Sequence, residues 1–262
     1  MNTVFELAAA KAEGRKIVVV TSYDSWSARL LADSPVDCLL VGDSALMVMH
    51  GQRDTLGATV ELMAMHTRAV SKGAPDKLIV TDMPFLSARK GIHFALDAAG
   101  EMMRAGAHAV KIEGARGHLE VIRHLVETGI PVMGHLGLQP QSVYAVGGHK
   151  VQARTPAAAA ALLREARDLE KAGACSVVLE CIPRKLAARV TKALDIPTIG
   201  IGAGPECDGQ VLVLHDLLGL NPAFQPRHAR RFAEGAAVFR EGIDDFARAV
   251  QRGQFPGGRE SF

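Results

Sequence analysis

Four acidic residues close apolar runs of this chain. Asp43 ends DCLLVGD, Asp82 ends KLIVTD, Glu113 ends HAVKIE and Glu180 ends CSVVLE; Lys111 lies two positions before Glu113. Such a set can hold a hard cation, move a proton, or pair with a lysine. Asp43 and Asp82 form the strongest pair. At like positions on adjacent parallel strands, about 4.8 Å apart, both carboxylates reach one ion. Oxygen-only ligands favour Mg²⁺, Mn²⁺ or Ca²⁺ over zinc, and Glu113 is a candidate third ligand, directly or through water. Either aspartate alone also suits the cap of a following helix. Lys111 and Glu113 share a strand face; they serve an anionic substrate or form a structural ion pair. Glu180 follows apolar residues and suits a general base, or, just before Pro183, an acid at a helix N-terminus. His135, after Pro-Val-Met-Gly, fits a core histidine as well as a functional one.

The elements that must position these groups alternate along the chain. Apolar runs predict strands at Lys16–Thr21, Asp37–Gly42, Lys77–Asp82, His108–Glu113, Pro131–His135, Cys175–Glu180, Pro197–Gly202 and Gln210–His215. Helical patterns fall at Thr3–Glu13, Ser25–Ala32, Thr59–Lys72, Ile92–Arg104, Gly117–Thr128, Thr155–Ala172, Arg184–Ala193 and Arg227–Arg252. Ser44–Ala58 reads as irregular, and Gly137–Arg154 as a long loop of the kind that usually serves function. Continuous apolar strands argue for a parallel sheet buried on both faces. Eight strand–helix units with an extra helix in front predict an α/β fold, a (β/α)₈ TIM barrel over residues 1–262 as one domain. Its active site would lie at the C-terminal strand ends. A doubly wound open sheet is the alternative, but Tyr23-Asp24-Ser25-Trp26 after the first strand is not the glycine-rich turn it needs. Gly200-Ile201-Gly202-Ala203-Gly204 reads as a tight turn rather than a dinucleotide site.

Bulk composition excludes several classes. A chain of 262 residues buries about 75% of its unfolded surface and needs no staple to fold. The net charge is +2, and Lys and Arg are scattered without a basic arm, which argues against nucleic acid. Four cysteines show neither CxxC pairs nor zinc spacing. The first residues, MNTVFELAAAKAEGRK, do not read as a signal peptide, and no apolar run reaches the ~18 residues of a membrane span. A cytoplasmic protein is expected. No GxSxG, HExxH or P-loop motif is present.

Several longer strings resemble the ketopantoate hydroxymethyltransferase family: VGDSALMVMHG (41–51), TDMPFLS (81–87), KIEG (111–114), PVMGHLGLQPQSV (131–143), GGHKVQAR (147–154), LECIP (179–183), IGIGAGPECDGQVLVLHDLLGL (199–220) and the closing FPGGRESF. The resemblance implies a (β/α)₈ barrel with an added N-terminal helix, of the phosphoenolpyruvate mutase and isocitrate lyase group. It implies one Mg²⁺ per subunit, 5,10-methylenetetrahydrofolate as co-substrate, a keto acid as acceptor, and a homo-oligomer, a decamer. By motif, Asp43 and Asp82 hold the metal and also face the substrate, Glu113 completes the metal shell, Ser44 and Lys111 contact the keto acid, His135 is a pocket residue and Glu180 is the base. The chain departs from the family's usual strings at Gly57-Ala58, at Ala88 and at Gln225-Pro226, near Phe224. A carbon–carbon lyase or phosphonomutase of the same barrel group, and a non-catalytic keto-acid-binding barrel, are the rival readings.

Overall fold

A computed structural model of the chain describes residues 2–223 and 225–262; Phe224 lies outside them. Eight parallel strands close on themselves in chain order, β1 pairing with both β2 and β8. They are β1 Ile17–Thr21, β2 Cys38–Val41, β3 Leu78–Asp82, β4 Ala109–Glu113, β5 Val132–Gly137, β6 Ser176–Glu180, β7 Thr198–Ile201 and β8 Gly209–Leu212. The helices are α1 Phe5–Ala12, α2 Ser25–Ala32, α3 Ala45–Val48, α4 Val60–Gly73, α5 Ile92–Arg104, α6 Leu119–Glu127, α7 Pro156–Lys171, α8 Arg184–Ala193, α9 Leu214–Leu217 and α10 Gly235–Gln251. The closed parallel barrel is the one expected from the apolar runs.

Two compact units compose the chain, Met1–Val213 and Leu214–Phe262. In the first, strand residues of β2, β3 and β4 are buried throughout, as both barrel faces require. One set points inward: Val19, Cys38, Leu40, Leu78, Val80, Ala109, Met133, Val178, Ile199 and Val211 form a single core with Leu7 and Ala10 of α1. The leading helix therefore packs its apolar face against the barrel interior. Lys11 fixes it there, donating to the carbonyls of Thr191, Leu194 and Ile196 and to Asp208 Oδ2 at 2.9–3.2 Å. Helix starts follow local chemistry. Asp24 Oδ1 accepts the amides of Trp26 and Ser27, Thr59 Oγ1 that of Leu62, and Thr155 Oγ1 that of Ala158.

Three expectations are corrected. The strand placed at Gln210–His215 is β8, Gly209–Leu212, and His215 belongs to α9. The alternation also fails between β7 and β8. The seven-residue GAGPECD connection carries no helix; Asp208 folds back to accept from Thr198 N at 2.8 Å. The last helix begins at Gly235 rather than Arg227 because the preceding backbone is engaged elsewhere: Phe232 N–H donates to Leu217 O, and Gly235 N–H to Leu218 O. In the irregular stretch 44–58, residues 45–48 form the short α3. In the second unit, α10 buries none of its residues, and Phe239, Ile243, Phe246 and Val250 stand exposed along one stripe.

Candidate active site

Strand register gathers the charged groups. Asp82 lies opposite Lys111, Glu113 opposite His135, and Gly137 opposite Glu180. All are inward positions near the C-terminal ends of β3 to β6. Asp43 is not level with Asp82, contrary to the expectation. Val41 already pairs with Thr81, so Asp43 lies in the turn beyond β2, and its backbone N–H donates to Asp82 Oδ2 at 3.0 Å. Asp43, Asp82, Lys111, Glu113 and His135 are all buried, whereas the Glu180 side chain keeps 15% of its surface exposed.

Lys111 is the hub. Its Nζ lies 3.0 Å from Asp82 Oδ1, 3.9 Å from Glu113 Oε1 and 3.3 Å from His135 Nδ1. Its nearer partner is thus Asp82, across the sheet, and not Glu113 on its own strand. His135 bridges two carboxylates, with Nδ1 3.3 Å from Glu113 Oε1 and Nε2 3.2 Å from Glu180 Oε2. Glu180 therefore faces an imidazole, not apolar surroundings. Its helix-acid alternative is not realised: α8 starts at Arg184 with Pro183 at its cap and no side-chain cap bond. Ser44 Oγ meets Tyr23 Oη at 2.8 Å. Gly42 leaves room for that hydroxyl, since a Cβ there would stand 2.8 Å from Ser44 Oγ. Gly137 has φ +98°, and a Cβ on it would fall 2.1 Å from the Glu180 carbonyl oxygen. Only glycine lets β5 turn out beside Glu180.

Electrostatics follow from burial and neighbours. Burial, then the charges of Asp82 and Glu113, push the Asp43 carboxyl well above the usual range. Burial also raises Asp82, against the pull of Lys111. Burial alone would lower Lys111, but Asp82, Glu113 and Asp43 outweigh it and keep the ammonium charged. Burial would raise Glu113, yet the hydrogen bond and charge of His135, with Lys111, hold it below the usual range. Burial and Lys111 oppose a charged His135; the flanking Glu113 and Glu180 carboxylates override them and raise it to about 9. The two flanking carboxylates thus favour the charged form of the ring.

The carboxylates fit a cation on two grounds. Asp82 Oδ1 and Glu113 Oε1 are buried without a hydrogen bond of good alignment. Asp43, Asp82, Glu113 and Glu180 also outnumber Lys111 and His135. Among the described residues, no three His, Cys, Asp or Glu side chains already form a ligand cage. One or two carboxylates completed by water and substrate oxygens is the usual Mg²⁺ arrangement, so the donor set suits that ion.

Two residues of this site carried no signal in isolation. Tyr23, buried, holds Ser44. Gln141 lies in the long loop after β5, where PQS makes a 3₁₀ turn at Pro140–Ser142. Its Nε2 donates to Asp43 Oδ2 at 2.7 Å and to Met83 O at 2.9 Å; its backbone N–H donates to Glu113 Oε2 at 3.0 Å. A cavity of about 30 Å³ opens beside it, lined by Met83, Ile112, Glu113 and His118, with room for about one water.

Comparison with known proteins gives a consistent picture. A family model described as ketopantoate hydroxymethyltransferase matches residues 1–258. The chain is 49% identical over 262 residues to the 3-methyl-2-oxobutanoate hydroxymethyltransferase of Bdellovibrio bacteriovorus strain HD100, covering 100% of both. It is 51% identical over 257 residues to the enzyme of that name from Coxiella burnetii strain CbuK_Q154, covering 98% of this chain and 96% of the relative. Among solved structures, 2,3-dimethylmalate lyase, a member of the PEP mutase/isocitrate lyase superfamily, shares the fold with TM-score 0.65 at 19% identity, covering 95% of this chain and 88% of that one. Phosphonopyruvate hydrolase in complex with oxalate and Mg²⁺ does so with TM-score 0.66 at 13% identity, covering 99% and 93%.

Proposed function

The chain belongs to the ketopantoate hydroxymethyltransferase family, and from the residues at its barrel mouth we infer how it works. It transfers a hydroxymethyl group to 3-methyl-2-oxobutanoate, giving ketopantoate. In our reading the one-carbon donor is 5,10-methylenetetrahydrofolate, and Asp43 and Asp82 would hold one Mg²⁺ per subunit, with Glu113 contributing directly or through water. When bound, such a cation supplies Lewis-acid polarisation of the keto oxygen.

This chain's own residues do the rest. The chemical problem is to remove a proton from the carbon beside the ketone, and then join that carbon to the one-carbon unit. Glu180 Oε2 takes the proton. It is the least buried of the mouth carboxylates and so the one open to substrate. His135, 3.2 Å away at Nε2, orients it. Lys111 and Ser44 bind the keto acid, the lysine offsetting the negative charge that builds up. Tyr23 holds the Ser44 hydroxyl at 2.8 Å. Fixing acceptor and donor together removes much of the entropic barrier to carbon–carbon bond formation. The observation that carries this reading is the Glu113–His135–Glu180 bridge beside the Asp43/Asp82 pair.

We further read residues 1–262 as one functional barrel domain, cytoplasmic, and assembled as a homo-oligomer, a decamer. The exposed apolar stripe of α10 supports assembly. No helix among the described residues is long and apolar enough to cross a membrane. The test is ketopantoate formation by the chelator-stripped protein, with and without Mg²⁺ and with each one-carbon donor in turn. Turnover should need both Mg²⁺ and methylenetetrahydrofolate. Full turnover in chelator, or with free formaldehyde alone, contradicts the reading.

A further inference from the structure

We propose that Gln141 is the positioning residue for the cation carboxylates: it fixes which oxygens of Asp43 and Glu113 face the barrel mouth. The proposal rests on the reading of those two residues as cation ligands. Three hydrogen bonds from this one residue reach three strand ends: Asp43 Oδ2 after β2, Met83 O after β3 and Glu113 Oε2 at the end of β4. Its amide orientation is determined by chemistry. The Met83 carbonyl can only accept, so the amino end must face it; reversing the amide would set one carbonyl oxygen against another.

The consequence lies in the oxygens left over. With Oδ2 of Asp43 and Oε2 of Glu113 turned to Gln141, the remaining oxygens are directed elsewhere. Of the two left over, Glu113 Oε1 is buried without an aligned hydrogen bond. Outer partners of this kind orient ligating carboxylates, and losing one weakens metal affinity by about 10–100-fold. The loop that carries Gln141 is anchored independently at both sides of it. Leu138 N–H donates to Glu180 O at 2.9 Å, and Tyr144 Oη to Asp54 Oδ2 at 2.7 Å. Gln141 thus bridges a well-held loop to the acidic cluster, and its side chain can be removed without releasing the loop.

The test is titration of the chelator-stripped, full-length protein with Mn²⁺, followed by electron paramagnetic resonance. Gln141→Met keeps the length of the side chain and deletes its donor to Asp43 Oδ2 and Met83 O, leaving the backbone N–H on Glu113 Oε2 in place. It should weaken Mn²⁺ binding by about 10–100-fold, and Gln141→Ala should do the same if methionine crowds the turn. The Mg²⁺ concentration giving half-maximal turnover should rise in step, while kcat at saturating Mg²⁺ falls much less. Tyr144→Phe, which frees only the outer anchor, should leave Mn²⁺ affinity within about twofold. Unchanged Mn²⁺ affinity in both Gln141 variants overturns the proposal. So does an equal loss in Tyr144→Phe, which would make loop order, not the amide, the cause. If the unaltered protein binds no Mn²⁺, the cation reading falls and this proposal with it.

Discussion

Replacing Lys111 by methionine removes the one permanent cation at the centre of the acidic cluster. The structure sets the scale. At an effective dielectric of about 20, unit charges 3.0 Å apart attract by roughly 5.5 kcal/mol and 3.9 Å apart by roughly 4 kcal/mol. Several kcal/mol are returned because the ammonium no longer has to be stripped of water. The net cost falls in the range of about 3–5 kcal/mol found for buried pairs that lose one partner. For a chain of this size that is a melting shift of roughly 6–20 °C. The loss must also depend on pH. Without Lys111, the Asp82 carboxyl, already raised by burial, rises further. The folded state then holds a proton that the unfolded state releases above about 3.9, so stability falls as pH rises through the window between those two values. In the parent, Lys111 stays charged across this range. The gap between variant and parent should therefore widen as pH rises above the ordinary carboxylate range. The assay is thermal and denaturant unfolding in chelator at fixed protein concentration. A gap below about 1 kcal/mol at pH 8, or one that narrows with rising pH, would refute the electrostatic account.

Four further outcomes are expected. Mg²⁺ at a hundredfold its Kd should stabilise the parent by about 2.7 kcal/mol, and Asp43→Ala and Asp82→Ala should each lose most of that gain in a thermal-shift measurement. Gly137→Ala places a Cβ 2.1 Å from the Glu180 carbonyl at φ +98°; it should cost about 2–5 kcal/mol and depress kcat, whereas Gly14→Ala, with nothing within 4 Å, should cost only about 1–2 kcal/mol. Light scattering of the parent should report a closed homo-oligomer, and Phe239→Glu with Ile243→Glu on the exposed α10 stripe should shift it to smaller species; a parent that is monomeric at micromolar concentration counts against assembly. Tyr23→Phe leaves the ring but frees Ser44 Oγ, and it should raise KM for the keto acid by about three- to tenfold, the worth of one neutral hydrogen bond; an unchanged KM removes Ser44 from substrate binding.

Much of the barrel was legible in the sequence because a parallel strand buried on both faces has no polar side to disguise it. VVV, LLV, LIV and VVL read as strands, and the acids after them marked their C-terminal ends. The partner of Lys111 was not legible. Sequence spacing puts Lys111 and Glu113 on one face, but residues two apart on a strand are separated by about 6.6 Å, more than the ~4.8 Å between strands. Register, which brings Asp82 opposite Lys111, therefore decides the pairing, and register depends on closure of the whole barrel. The VLVLHDLLGL string hid the break at Leu212, since a short apolar run does not distinguish strand from helix. Residues 227–234 looked helical, yet within them the Phe232 amide donates to Leu217 O at the end of α9. Gln141 was invisible for a different reason: loop contacts have no period, and its importance arises only where the 3₁₀ turn meets three strand ends.

In the proposed mechanism Glu180 removes the proton beside the ketone before any one-carbon chemistry occurs. This step is tested by following the exchange of the C3 proton of 3-methyl-2-oxobutanoate in D₂O by NMR, with Mg²⁺ and without folate, for the parent and for Glu180→Gln. Glutamine keeps the side chain's shape and lacks its basic charge. The parent should show folate-independent exchange, and the variant a fall of about 10²–10⁴-fold, with the full transferase rate falling in parallel and substrate binding retained. Exchange at the parent's rate in Glu180→Gln, with transfer alone abolished, would contradict this mechanism and move the base elsewhere, to His135 first.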